Sequence, residues 1–166
     1  MIWIYFDASA LIKRYSSEKG TKFVNHIFEQ LPPEQLGCSA IGVLEIVANL
    51  VRKRNDGRLT LALFTQAISQ VKDEIVANEA VTVISVDDDL LYSAMNLIAK
   101  HNMNATDAII LRSALELQKV LDEQANHMLL CCCDKRLLRA AQKEGIATLD
   151  PETDSLEAIA QRIANS

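Results

Sequence analysis

Asp7 directly follows the apolar run Ile2–Phe6, and Asp134 directly follows the apolar run Met128–Cys133. If both runs are central parallel strands, the two carboxylates share one edge of a sheet. Asp107 lies in the first turn of a helix entered through Asn104-Ala105-Thr106. Glu45 lies one turn into the helix after Leu36–Ser39, between Val43, Leu44, Ile46 and Val47. A Glu in that setting needs a partner, because an unpaired buried charge is very costly. Carboxylates converging on one edge repel each other unless a cation joins them. Oxygen-rich clusters suit Mg²⁺ or Mn²⁺, which keep several waters and leave room for phosphate oxygens. The chemistry such a site suggests is phosphodiester hydrolysis.

Each of these residues also has a plainer explanation. An Asp after a strand serves as a helix N-cap, which would account for Asp7 or Asp134 alone. Asp107 could do no more than complement a helix dipole, and Glu45 could be a solvated position on an imperfect helix face. Only their joint placement at one edge points to a metal site.

That placement depends on alternating short apolar runs and longer helical patterns. Strands are expected at Ile2–Phe6, Leu36–Ser39, Val81–Val86, Met128–Cys133 and Ile146–Leu149. Helical patterns occupy Ser9–Tyr15, Thr21–Gln30, Ile41–Arg54, Thr60–Asn78, Asp87–His101, Thr106–Leu121, Lys135–Glu144 and Ser155–Ala164. Thr106 is the expected N-cap of its helix, and Asn55-Asp56-Gly57 marks a turn. Strands separated by helices imply parallel pairing in an α/β layer fold. Ligands of such sheets bind beyond the carboxyl ends of the strands, near the point where strand order switches.

The chain holds 166 residues, 49% of them hydrophobic, which suits one folded domain spanning 1–166. Its formal net charge is −5, which argues against a sequence-independent DNA coat or a polybasic membrane binder. No apolar run approaches the length of a membrane span, and the opening residues do not read as a secretory signal, so a cytoplasmic protein is expected. Of four cysteines, three are consecutive (Cys131, Cys132, Cys133), a spacing that makes neither a disulfide framework nor a zinc knuckle.

At the four acids the sequence resembles the PIN-domain family, especially the VapC-like toxin ribonucleases of toxin–antitoxin modules. Tyr5-Phe6-Asp7-Ala8-Ser9-Ala10-Leu11-Ile12-Lys13-Arg14-Tyr15 is similar to the family's first motif, in which the Asp binds metal and a hydroxyl two residues later supports it. The other motifs map to Glu45 in Val43–Ala48, Asp107 in Ala105–Ile110 and Asp134 in Cys132–Ala141. One departure stands out: the family often carries Thr or Ser two residues before the fourth Asp, where this chain has Cys132. A thiol is a weak hydrogen-bond partner, so altered tuning of Asp134 is expected rather than lost metal binding.

The resemblance implies a three-layer α/β/α fold with a central parallel sheet of order 3-2-1-4-5. It also implies an Mg²⁺- or Mn²⁺-dependent endoribonuclease, a homodimer, and a small antitoxin protein as inhibitor if the chain is a toxin. Asp7 and Asp107 would be the main metal ligands, with Glu45 and Asp134 completing the cluster directly or through water. Ser9 would orient a ligand or touch phosphate. Arg14 and Arg136, near the acids in sequence, would hold RNA phosphates.

Other features carry less. His26, His101 and His127 lack metal-binding spacing and suit surface or loop positions. Asp87-Asp88-Asp89 suits a solvated helix start, and Arg52-Lys53-Arg54 with Arg58 suits a solvated face. One alternative is a PIN-like module that binds RNA or protein without cutting. Another is a phosphotransfer domain with a nucleophilic aspartate, but Asp7-Ala8-Ser9 fits the D-x-D of haloacid-dehalogenase-type phosphatases poorly.

Overall fold

A computed structural model describes residues 1–164. Five parallel strands form one sheet of order β3-β2-β1-β4-β5. They are β1 (Ile2–Phe6), β2 (Leu36–Ser39), β3 (Thr82–Ile84), β4 (His127–Cys131) and β5 (Ala147–Leu149). Between them run α1 (Ala8–Leu11), α2 (Thr21–Gln30), α3 (Ala40–Asn55), α4 (Leu61–Val71), α5 (Asp88–Ser93), α6 (Met95–His101), α7 (Ala105–Glu123) and α8 (Lys135–Lys143). A closing helix, α9, spans Leu156–Ala164. The expected α/β/α architecture and strand order are both present.

Alternation along the strands assigns the two faces of the sheet. Ile4, Phe6, Cys38, Leu129, Cys131 and Leu149 join Leu11, Ile27, Ile46, Leu50 and Ile159 in one buried cluster. Tyr5, Met128, Leu130 and Cys132 face the other way and pack against Ile110, Leu111, Leu121, Leu137 and Ile146. The central strands are buried on both faces, which is why Ile2–Phe6 and Met128–Cys133 read as continuous apolar runs rather than alternating ones. Tyr5 is the polar exception. Its hydroxyl donates to Ser113 Oγ, and Ser113 in turn donates to the Ile110 carbonyl at 2.9 Å.

Several expected boundaries move. Thr60–Asn78 is not one helix: α4 ends at Val71 and a π-type turn fills Lys72–Val76. Asp87–His101 divides at Ala94 into α5 and α6. Ser9–Tyr15 divides into α1 and a 3₁₀ turn at Ile12–Arg14. The outer strand β3 is shorter than Val81–Val86 and only partly buried, so propensity overstated it. Apolar periodicity registers the buried side of each segment but not a change of helical pitch within it.

Register places the functional edge. Phe6 lies level with Cys38 on one side and Cys131 on the other. The Asp7 amide continues the ladder by donating to the Cys131 carbonyl at 2.9 Å. Asp7 and the turn that leads to Asp134 are therefore neighbours at the carboxyl end of the sheet.

Candidate active site at the carboxyl edge of the sheet

Asp7 and Asp134 each cap the helix that follows their strand, so the plain explanation of both is correct as far as it goes. Asp7 Oδ2 accepts the Ser9 amide at 3.0 Å, and Asp134 Oδ1 accepts the amides of Arg136 at 2.7 Å and Leu137 at 3.1 Å. Capping uses one carboxylate oxygen in each case. Among the described residues, Asp7 Oδ1 and Asp134 Oδ2 receive no hydrogen bond.

Asp107 has the same arrangement by another route. Asn104, not Thr106, caps α7: its Oδ1 accepts the Asp107 amide at 2.8 Å while its Nδ2 donates to Asp107 Oδ2 at 2.7 Å. The reciprocal Asn-x-x-Asp contact is a variant of the capping box, and its spacing was visible in the sequence. Thr106 lies too far into the turn to reach a free amide. Asp107 Oδ1 is left without a hydrogen bond among the described residues. Among the described residues Glu45, half-buried on α3, has no hydrogen bond on either carboxylate oxygen; Asn49 binds only its backbone carbonyl.

Electrostatics joins the four acids. Burial, then Asp7 and Asp107, push Glu45 up to about 7, with Arg52 opposing. Burial, then Asp134 and Asp7, push Asp107 up to about 6, against the pull of Arg136 and the Asn104 hydrogen bond. Asp7, Asp107 and Asp134 thus each disfavour ionisation of another acid in the group, as neighbouring like charges must. Among the described residues no three or more His, Cys, Asp or Glu side chains are grouped closely enough to hold a metal ion by themselves. The free oxygens and mutual repulsion still fit a hard divalent cation that keeps part of its water shell.

Cys132 occupies the centre of the edge. It is buried, and its Sγ lies 3.4 Å from Asp7 Oδ2, while the Asp134 amide donates to the same sulfur at 3.2 Å. Burial, then the Asp7 charge, push the thiol well above its ordinary range, so it stays protonated. The side chain expected to tune Asp134 therefore touches the carboxylate of Asp7, and meets Asp134 only through its backbone. Ser9 Oγ donates to Asp7 Oδ2 and accepts the Cys133 amide at 2.9 Å.

The two arginines separate. Arg136 is exposed and close enough to Asp107 to lower its pKa, and it makes no ion pair among the described residues. Arg14 does not have the free guanidinium expected of a phosphate ligand. It forms a two-point pair with Glu74 at 3.1 and 2.9 Å, bonds Asn25 at 3.0 Å and stacks 5.0 Å over Phe28. It joins the segment after α1 to α2 and the π-type turn. The pairing was illegible in sequence because Glu74 is 60 residues away.

A further carboxylate was missed. Asp150 directly follows β5, as Asp7 follows β1, and is buried. Burial raises its pKa, but Lys135 and the Glu152 amide outweigh that and lower it, so it is a structural ion rather than a member of the cluster. His101 is also not a surface residue: its side chain is buried and bonded to Glu144, the C-cap of α8.

The profile of the PIN domain family matches residues 4–143, most of the chain and all four acids, and the chain belongs to that family. Solved structures agree on the fold. PAE2754 from Pyrobaculum aerophilum superposes with a TM-score of 0.63 at 17% identity, covering 100% of both chains. The Mycobacterium tuberculosis toxin VapC20, described as cleaving the sarcin-ricin loop, superposes at 0.59 and 17% identity over 82% of this chain and 94% of its own. A toxin-antitoxin complex from Klebsiella pneumoniae gives 0.56 at 18% identity over 89% of this chain and 97% of that one. No curated protein matches in sequence.

Proposed function

We propose that the chain is a divalent-metal-dependent endoribonuclease, the toxin of a toxin–antitoxin pair. The observation that carries the reading is the oxygen pattern: Asp7, Asp107 and Asp134 each commit one carboxylate oxygen to a protein donor and keep the other free. Protein donors fix the three carboxylates in place, while among the described residues no donor bonds the free oxygens. Membership of the PIN domain family and likeness of fold to VapC20 support the same reading.

Asp7 and Asp107 would be the principal holders of Mg²⁺ or Mn²⁺, with Glu45 and Asp134 completing the set directly or through water. When bound, the cation would lower the pKa of water and offset charge on a phosphodiester under attack. The chain's own groups do the rest. Ser9 keeps Asp7 in one orientation, Asn104 does so for Asp107, and α8 does so for Asp134. Burial and the neighbouring acids raise the Glu45 carboxyl to about 7, so it is partly protonated near neutral pH, and a cation at the site would favour its ionised form. Arg136 supplies a positive charge to RNA phosphate beside Asp107, where Arg14 does not.

The proposed setting is cytoplasmic, with a homodimer and a small antitoxin protein as partners. Among the described residues no helix is long and apolar enough to cross a membrane. The test is cleavage of a labelled structured RNA with Mg²⁺, Mn²⁺ or EDTA, using wild type, Asp7→Asn and Asp107→Asn. Cleavage that requires both the metal and the two carboxylates is expected. Metal binding without cleavage of any RNA would favour a PIN module that binds but does not cut.

A further inference from the structure

Asp7 Oδ2 is crowded, while among the described residues Asp7 Oδ1 receives no hydrogen bond. Three donors converge on Oδ2: the Ser9 amide at 3.0 Å, the Ser9 hydroxyl, and the Cys132 thiol at 3.4 Å. Behind each side-chain donor stands a backbone amide of the turn after β4. The Cys133 amide donates to Ser9 Oγ at 2.9 Å, and the Asp134 amide donates to Cys132 Sγ at 3.2 Å.

A hydroxyl or thiol has one proton to give. Once its lone pair takes a backbone N–H, that proton turns toward the remaining acceptor. For Cys132 the candidates are the Asp7 carboxylate at 3.4 Å, the Ser9 hydroxyl at 3.7 Å and the Asp134 carbonyl at 3.7 Å. The nearest is also the charged one, and charged acceptors form the stronger hydrogen bonds.

We propose that Cys132 is a positioning residue for Asp7, forming with Ser9 a two-armed clamp that leaves only Oδ1 available to a cation. The inference rests on the metal-site reading above and adds to it the residue that sets how Asp7 is presented. It also couples two of the acids. The amide of Asp134 is one end of the relay and the carboxylate of Asp7 is the other, so moving the turn after β4 disturbs both. Sulfur makes this arm weaker than a hydroxyl would.

The competing account is that Cys132 is an inert buried thiol packed as a small hydrophobe. The two accounts rank substitutions differently. A clamp is broken by Ala and restored or strengthened by Ser, whose hydroxyl is the better donor. A packing site tolerates Ala, is harmed by a buried hydroxyl, and leaves metal affinity alone. Thr and Val supply the same comparison at equal shape if Ala or Ser fails to fold.

The experiment is Mn²⁺ affinity of the full chain, read from the free-ion signal in electron paramagnetic resonance, with urea unfolding to confirm folding. The proteins are wild type, Asp7→Asn, Ser9→Ala, and Cys132→Ala, Ser, Thr and Val. Cys132→Ala is expected to weaken binding about 3- to 10-fold, at or below the lower end for partners that orient a ligand. Cys132→Ser should bind at least as tightly as wild type, and Thr should exceed Val. Equal affinity for the Ala variant and wild type, or a Ser variant no tighter than Ala, overturns the clamp while the metal site stands. Wild type that binds no Mn²⁺, or Asp7→Asn that binds it equally well, overturns the metal site and the clamp together.

Discussion

Replacing Glu45 by Gln is expected to stabilise the metal-free protein, and the gain should grow with pH. Burial and the charges of Asp7 and Asp107 raise the Glu45 carboxyl from 4.5 to about 7. Between those values the folded chain holds a proton that the unfolded chain has already released. Stability therefore falls as pH rises through that window, and the loss is complete above the folded pKa. A rise of that size corresponds to about 3 kcal/mol if taken at face value. Glu45 is only half-buried, and solvent screening there reduces the figure to about 1–2 kcal/mol. Glutamine keeps the shape and has nothing to ionise. Urea unfolding in EDTA, followed by the single tryptophan, Trp3, is the assay. At about pH 4 both proteins carry a neutral side chain and should unfold alike. At about pH 8 the Gln variant should unfold at a midpoint about 0.5–1 M higher, taking a slope near 2 kcal/mol/M. Adding Mg²⁺ should stabilise wild type more than the variant and narrow the gap. A variant no more stable at the higher pH, or an advantage that does not change with pH, would refute the claim that these acids repel one another in the folded state.

Other outcomes follow from the same contacts. Arg14→Ala should cost about 1–3 kcal/mol of stability through loss of the Glu74 pair and of stacking on Phe28, and should leave the salt dependence of RNA binding unchanged. Arg136→Ala should do the reverse, leaving unfolding unchanged and lowering the slope of log affinity against log salt by about one phosphate contact. Lys13→Ala should cost about 2–3 kcal/mol, because its buried ammonium serves both Glu18 at 3.2 Å and Glu152 at 2.6 Å; thermal melting reads the loss. Gly20→Ala should lower the melting temperature, since Gly20 has φ +91° and a Cβ there would lie 2.9 Å from the Pro151 carbonyl oxygen.

Much of the site was legible because local rules place it. A carboxylate directly after a buried parallel strand must lie at the carboxyl edge, and Asp7 is held there by the first rung of the ladder beyond β1. The α/β class followed from strands alternating with helices, and the family resemblance supplied the strand order that makes β1 and β4 neighbours. What sequence could not show were partners distant along the chain. Arg14 and Arg136 look alike in sequence, yet Glu74 occupies one and not the other. Cys132 sits two residues before Asp134, and proximity suggested that it serves Asp134. The parallel pairing of β1 and β4 instead brings its sulfur to Asp7, 125 residues away. The breaks at Val71 and Ala94 were invisible because apolar spacing continues through them.

Anomalous diffraction from crystals grown with Mn²⁺ tests the central claim most directly. The account predicts one or more anomalous peaks within ligand distance of Asp7 Oδ1 and Asp107 Oδ1, with water completing the shell, and none there in Asp7→Asn crystals. Mn²⁺ bound only elsewhere on the chain, with these oxygens contacting water alone, would contradict it.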